Sequence, residues 1–421
     1  MCGIVAVTGY KKALPLLING LEKLEYRGYD SAGIAIINSE TKNVSCKKAE
    51  GKLKNLKNNL KNIEIPGTVG IGHTRWATHG KPEVKNAHPH IDSSGEVAVV
   101  QNGIIENYQE LKIKLQKEGI VFNSDTDTEV IPHLIQKELL ALSQLKLESN
   151  GSTLLVAVRN VISDLEGSYA LAVLWSGAPE ALVVARKQAP LIIGLGEGEF
   201  ICASDTPAIA NFTKIILPLE DEEIALLTPL GIEIYDSNNE RQYRNPISLQ
   251  TADQVSDKKN FKHYMLKEIY DQPDIAKYWL EKYLIKDLKT DQFQINYSFD
   301  TDFLNSIERI DIVACGTSKH SAMVGKFLLE QFSGIPTNVF FASEFRYSPP
   351  PLLPNTLTIG VTQSGETADT IAAISMEIKR RSSIGDRNFK PNLIAITNRV
   401  ESSIGRQIPN IIDICAGIEI G

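Results

Sequence analysis

The sequence is short of cysteine, has no long apolar run and carries no excess of positive charge, and each shortage removes a class of function. Its five cysteines (Cys2, Cys46, Cys202, Cys315 and Cys415) are odd in number and scattered, and none falls in C-x-x-C spacing. A disulfide scaffold and a structural zinc are therefore not expected, and a reducing compartment, the cytoplasm, is. The longest apolar stretches, such as TLLVAV and YALAVLW, fall well short of the roughly 18 to 20 residues that a spanning helix needs. No membrane partner is expected. Acidic residues outnumber basic ones by 51 to 44, and the net charge of -7 repels a phosphate backbone, so nucleic acid is not expected as a partner either. The opening MCGIVAVTGY has no basic stretch and no A-x-A site, unlike a signal peptide. Internal repeats, low-complexity tracts and a G-x-x-x-x-G-K-S/T phosphate loop are all missing.

What is present is a chain of 421 residues, 43% hydrophobic and 23% charged, which is globular by composition and too long for one ordinary domain. Up to about Thr228 short apolar runs alternate with Gly-rich turns, as in GIVAVTG, SAGIAII, VGIGHTR, EVAVVQNG and SYALAVLW, a pattern that predicts antiparallel sheets. Two helices interrupt them. Tyr108, Leu111 and Leu115 share a helical face that ends before Gly119, and TDTE at Thr126 to Glu129 fits a capping box with Thr126 as N-cap and Glu129 at N3. Pro132 sits awkwardly inside that second helix. From Ser237 to Asn260 the sequence turns polar and aperiodic, as a linker does, and the helical stretch FKHYMLKEIYDQPDIAKYWLEKYL follows. From about Ile310 the runs IDIVACG, TNVFFAS, TLTIGVTQSG, NLIAITN and NIIDICAG are spaced for intervening helices, which predicts a parallel, doubly wound sheet. The fold class is α/β with an α+β first domain, divided into 2–240, a linker and connecting helix over 241–285, and 286–421.

Cys2 follows the initiator Met, and removal of Met1 would leave one residue carrying both a thiol and a free α-amine. An α-amine with a reference pKa of about 8 is partly neutral near pH 7 and can take the thiol proton, directly or through a water. Nucleophile and base would then come from the same residue. The alternative is an incidental second-position cysteine packed under the first strand.

CGIVAV at the N-terminus, YRGYDSAG at Tyr26 to Gly33, GHTRWATHG at Gly72 to Gly80, QNGIIENY at Gln101 to Tyr108 and SDTDTEV at Ser124 to Val130 occur together and in this order. On these five motifs the first 240 residues resemble a class II glutamine amidotransferase domain, an N-terminal-nucleophile hydrolase built as an αββα sandwich. The resemblance implies that Cys2 attacks the side-chain amide of glutamine, giving ammonia and a γ-glutamyl thioester that hydrolyses to glutamate. It implies an oxyanion hole from the Asn102 side chain and the Gly103 backbone N–H. Glutamine's α-carboxylate would meet Arg75 and its α-ammonium Asp127, though Asp127 has a bland alternative in favouring the first helical turn. Thr78 and His79 would position substrate; by itself His79 reads as structural. Arg27 would organise the nucleophile's surroundings where otherwise it reads as a solvated charge. Trp76 is either core packing or, by the resemblance, the gate of an ammonia channel.

Two strand-to-helix turns, ACGTS at Ala314 to Ser318 and TQSGET at Thr362 to Thr367, place small hydroxyl residues and a Gly before helices, the arrangement that aims donors at an anion. With HYMLKEI at His263 to Ile269 they resemble the sugar isomerase (SIS) domain of the glutamine:fructose-6-phosphate aminotransferase family. That resemblance implies glutamine and fructose 6-phosphate as substrates, amino-sugar precursor synthesis, a homodimer through the SIS region, and no cofactor or metal. Thr317, Ser318, Gln363, Ser364 and Thr367 would hold the sugar phosphate, together with Thr362, where the family often has Ser. Members carry a second SIS domain with most of the isomerising groups, and no second set of such turns follows here. The expectation is an amidotransferase that makes glucosamine 6-phosphate, here as a glutaminase with one SIS domain and without the second; the alternatives are an amidotransferase with a phosphoribosyl or aspartyl acceptor, whose sites are not visible, and a glutaminase-only or sugar-phosphate-sensing fragment. His88 and His90, around Pro89, are expected in a loop and not in a metal site.

Overall fold

In the strand Gly3–Thr8, Ile4 and Ala6 point to one side and Val5 and Val7 to the other, as the two-residue period of a strand requires, and both sides are buried. A strand buried on both faces lies between layers. The computed structural model describes residues 2–77, 80–145, 147–249, 260–286, 293–297, 299, 301–417 and 419, and it divides into two units, Met1–Asp253 and Gln254–Gly421.

The first unit stacks two sheets whose strands pair antiparallel. One runs in the order Ile247–Ser248, Ile215–Pro218, Ile192–Leu195, Phe200–Ala203, Gly3–Thr8, Gly70–Arg75, Ser31–Ile37, Val44–Glu50. The other runs Arg241–Gln242, Gly231–Tyr235, Ile224–Thr228, Leu182–Lys187, Gly167–Trp175, Val97–Ile105, His90–Ile91. Ile4, Ala6 and Ile71 of the first sheet meet Ala98, Val100 and Ala172 of the second in a shared core. Outside the first sheet, Leu17, Leu21, Leu53 and Leu56 of two helices cover Val5, Ile34 and Ile36. Outside the second, Ile131, Ile135, Leu154 and Val158 of the helices Val130–Gln144 and Gly151–Ser163 cover Val97 and Val99. Full burial of each such side chain contributes about 1.5–3 kcal/mol. The layers are αββα, as expected.

Two local expectations change. Val130, not Thr126, opens the second helix, and no side chain caps it. Glu129 reaches back instead to Ser124, accepting from its N–H and its hydroxyl at 2.6 Å each, and from the Asn123 N–H at 2.8 Å. This later start puts Pro132 in the first turn, where its missing N–H costs nothing, which resolves its awkward position. The polar stretch after Ser237 is not all linker, because Arg241–Gln242 and Ile247–Ser248 pair as sheet edges and the first unit continues past residue 240. Two-residue strands leave no periodicity to read. The rest of the expected linker, residues 250–259, lies outside the described residues.

The second unit carries a parallel sheet in the order Thr337–Phe341, Arg309–Ala314, Thr356–Thr362, Asn392–Thr397, Ile411–Asp413. Val313 and Leu393 pack on one face with Ala373 and Ile374 of the helix Ala368–Ser382, and Ile312 and Ile359 on the other with Ala322 of the helix Gly316–Ser333. Helices on both faces make it doubly wound. The helix Tyr264–Tyr283 is no free connector: Trp279 Nε1 and the Tyr283 hydroxyl donate to the Asp413 carbonyl, and Lys282 pairs with the Asp413 carboxylate at 2.9 Å.

Candidate active site

Gly3 lies opposite Thr74 in the antiparallel ladder, so the strand that ends at Arg75 delivers Arg75 and Trp76 to Cys2. The Trp76 N–H donates to Cys2 Sγ at 3.3 Å, and the thiol faces the Trp76 carbonyl at 3.5 Å. Gly28 allows this clasp, since a Cβ there would stand 2.6 Å from the Arg75 carbonyl carbon and 2.7 Å from the Trp76 nitrogen. Burial pushes the Cys2 thiol up, against the opposing pull of the Trp76 backbone, the amino terminus, Arg75 and Arg27. The thiol is thus protonated at neutral pH and needs a base to attack.

From the facing sheet, Asn102 crosses to the nucleophile, its Nδ2 donating to the Cys2 carbonyl at 3.1 Å. An amide nitrogen has two hydrogens, which leaves one for an oxyanion. Gly103 follows with φ 116°, and a Cβ there would lie 2.1 Å from the Ser168 carbonyl oxygen, so only glycine fits.

Arg75 is buried and donates to the carbonyls of Gly80 at 3.2 Å and Lys81 at 3.4 Å. Burial lowers its pKa, while Cys2, Asp127 and Asp30 pull it back up. Asp127 is buried too, accepting from the Ile105 N–H at 2.8 Å. Its carboxylate therefore does more than complement a helix dipole. Arg75 thus feels both the Cys2 thiol and the Asp127 carboxylate, a cation and an anion of the kind that the two charged ends of an amino acid require. Thr78 and His79 lie outside the described residues.

Arg27 is not a solvated charge: its buried guanidinium pairs with Asp205 at 2.6 Å and reaches the Ser204 carbonyl at 3.5 Å, while Ser204 Oγ accepts from the Ile4 N–H. It pins a turn beside the first strand. Trp76 is 44% exposed and meets Tyr29 edge-on at 5.3 Å, which rules out core packing. Asp205 and Asp30 were missed in the sequence. Asp30, accepting from the Ala77 N–H at 2.9 Å, sits inside the YRGYDSAG motif and had a signal; Asp205, 178 positions from Arg27, had none. His88 lies in a loop, as expected, whereas His90 opens the strand His90–Ile91; both rings are buried and meet edge-on at 4.7 Å, and the His88 ring lies 4.3 Å from that of His73.

In the second unit, the strands Arg309–Ala314 and Thr356–Thr362 are parallel neighbours, so the helices after them both begin at the C-terminal end of the sheet, one on each face. Thr317 is exposed there, and Ser318, Gln363, Ser364 and Thr367 are half-buried. Thr362 differs: it is buried, with its hydroxyl 2.8 Å from that of Thr367, so it braces Thr367. Among the described residues no group of three or more His, Cys, Asp or Glu is placed to hold a metal, and no helix is long and apolar enough to cross a membrane.

The family described as a glutamine amidotransferase domain matches residues 73–211, and the SIS domain family matches residues 303–421. Glutamine–fructose-6-phosphate aminotransferase (isomerizing) of Thermosynechococcus vestitus is 55% identical over 423 residues, covering 100% of this chain and 66% of the relative. Its namesakes from Nostoc sp. and Synechocystis sp. are 52% and 51% identical, again over 100% of this chain and 66% of theirs. The chain thus spans 66% of the length of these curated relatives. With an αββα unit, a doubly wound unit and this identity from end to end, the chain belongs to the glutamine–fructose-6-phosphate aminotransferase family.

Proposed function

We propose that the protein hydrolyses glutamine at Cys2 and passes the ammonia to fructose 6-phosphate, forming glucosamine 6-phosphate. The observation that carries this reading is the Cys2 thiol held by the Trp76 backbone with the Asn102 amide alongside. With Met1 removed, the Cys2 α-amine takes the thiol proton as sulfur attacks the amide carbon. The oxyanion is met by Asn102 Nδ2 and the Gly103 N–H, the amine returns the proton to the leaving nitrogen, and ammonia departs. Water then cleaves the thioester to glutamate. Arg75 and Asp127 hold the amino acid's two charges, Thr78 and His79 help to orient it, and Arg27 fixes the floor.

Thr317, Ser318, Gln363, Ser364 and Thr367 take the sugar phosphate through neutral donors and two helix N-termini, and Thr362 supports Thr367. We assign the boundaries as a glutaminase, a connection and a SIS domain, with the helix from Tyr264 belonging to the last. A cytoplasmic setting is supported by five free cysteines. A homodimer through the SIS region is supported by Val324, Phe327 and Phe332, which the Gly316–Ser333 helix leaves exposed. The test is to supply the protein as encoded with glutamine and fructose 6-phosphate. Glutamate and amino sugar are expected in equal amounts; no glutamate refutes the glutaminase, and glutamate alone refutes the transfer.

Trp76→Ala probes the gate. The hydrogen bonds between Trp76 and the thiol run through backbone atoms, and its indole is 44% exposed, so glutamine hydrolysis is expected to persist while the amino sugar formed per glutamate falls. Ammonia that escapes into neutral water is protonated and no longer nucleophilic. An unchanged ratio of amino sugar to glutamate would remove Trp76 from the channel.

A further inference from the structure

An amide side chain can turn by half a circle with almost no change of shape, so its neighbours must decide which end faces a reaction. For Asn102 the deciding neighbour is His73, a fully buried residue of the strand that also carries Arg75. Its Nε2 lies 3.1 Å from the Gln101 carbonyl oxygen and 3.0 Å from Asn102 Oδ1. A backbone carbonyl is an acceptor only, so Nε2 must carry the proton. That N–H then requires an acceptor on Asn102, which turns Oδ1 toward the histidine and Nδ2 toward the Cys2 carbonyl. We propose that His73 is a positioning residue for glutamine hydrolysis, locking the Asn102 amide so that N–H and not C=O faces the oxyanion.

The surroundings make the lock firm. Turning the amide over would set N–H₂ against N–H and oxygen against oxygen, leaving buried polar groups without partners. Among the described residues His73 Nδ1 has no hydrogen-bond partner, in keeping with a ring that holds a single proton, and burial, opposed by the bond to Asn102, brings its pKa down to about 3. The same cluster reaches the other half of the site. The Thr128 hydroxyl donates to Gln101 Oε1 at 2.8 Å and accepts from His88 Nε2 at 2.9 Å, and Thr126 Oγ1 lies 3.0 Å from His90 Nε2. Residues on both sides of Asp127 are thereby tied to the histidines that stack behind Asn102.

The inference rests on Asn102 acting as oxyanion donor, and the test separates the two. In His73→Leu, kcat for glutamine hydrolysis is expected to fall about 10²–10³-fold, the loss typical of a removed oxyanion donor, with KM for glutamine little changed. Alkylation of Cys2 by iodoacetamide should keep its rate, because displacement at a saturated carbon forms no oxyanion. His73→Gln, whose Nε2 offers hydrogens to both the Gln101 carbonyl and Asn102 Oδ1, should recover most of kcat. Undiminished kcat in His73→Leu, an equal loss of alkylation, or no rescue by Gln each overturns the positioning role. Full hydrolysis in Asn102→Ala would instead refute the oxyanion reading on which it stands.

Discussion

Replacing Cys2 by Ala is expected to lower glutamine hydrolysis by on the order of 10⁴-fold or more, because the variant loses the atom that forms the thioester. Nothing nearby can substitute: among the described residues the sulfur's hydrogen-bonding neighbours are the Trp76 backbone groups, and Asn102 and Arg75 are donors, not nucleophiles. The mature protein should also be shorter by one methionine, which intact-mass measurement will show. The pH profile discriminates between two routes to the thiolate. Burial holds the thiol above its ordinary value, so a route that begins with free thiolate would gain rate only at strongly alkaline pH. A route through the Cys2 α-amine needs that amine neutral, so kcat/KM should climb with pH and level off near the amine's pKa, about 8. Retained Met1 in an active enzyme, or hydrolysis undiminished in Cys2→Ala, would overturn the nucleophile.

Much of this site was legible because its chemistry is local in sequence. Cys2 and the Arg75–Trp76 pair lie in short motifs at strand ends, and Asn102–Gly103 in a short motif within the strand Val97–Ile105. The parallel sheet was equally plain, since strands buried on both faces read as continuous apolar runs. What stayed hidden depends on distant partners. Nothing around Arg27 announces Asp205, and nothing around His73 announces that a buried ring will meet Asn102 across the gap between two sheets. Thr126 to Glu129 misled for a related reason: the capping pattern was read locally, while Thr126 is held by His90 and Glu129 by Ser124. A tertiary bond outweighed a helix cap worth about 1 kcal/mol.

That histidine cluster also sets the acid limit of the first unit, which is expected to lose most of its stability between about pH 6 and pH 4. His73, His88 and His90 are fully buried and neutral, and burial is the largest cause in each; the first is brought down to about 3 and the other two well below the ordinary imidazole value. Around them stand Arg75 and Lys48, which disfavour a further positive charge, and Glu129, which favours it at His90. The folded pKa values are depressed, so the stability is present in full above the unfolded value of about 6.5 and is lost as pH falls toward the folded values. Each imidazole that protonates only on unfolding contributes a slope of about 1.4 kcal/mol per pH unit, and three together about 4. A domain holds about 5–15 kcal/mol in all, so one to two units below the imidazole range should suffice. Glu129 does not share this window. Burial raises its pKa, but the neighbouring His133 and the bonds from Asn123 and Ser124 outweigh that and hold the carboxylate at about 2, so its contribution is complete above about 4.5 and fades only below. Calorimetry of the first unit's transition at pH 7, 6 and 5 should therefore show a fall that steepens below pH 6.5, with close to three protons taken up on unfolding. His88→Gln, which removes one of the three, should reduce the uptake to about two; a transition temperature that stays flat from pH 7 to pH 5 would mean that the rings already share a proton in the fold.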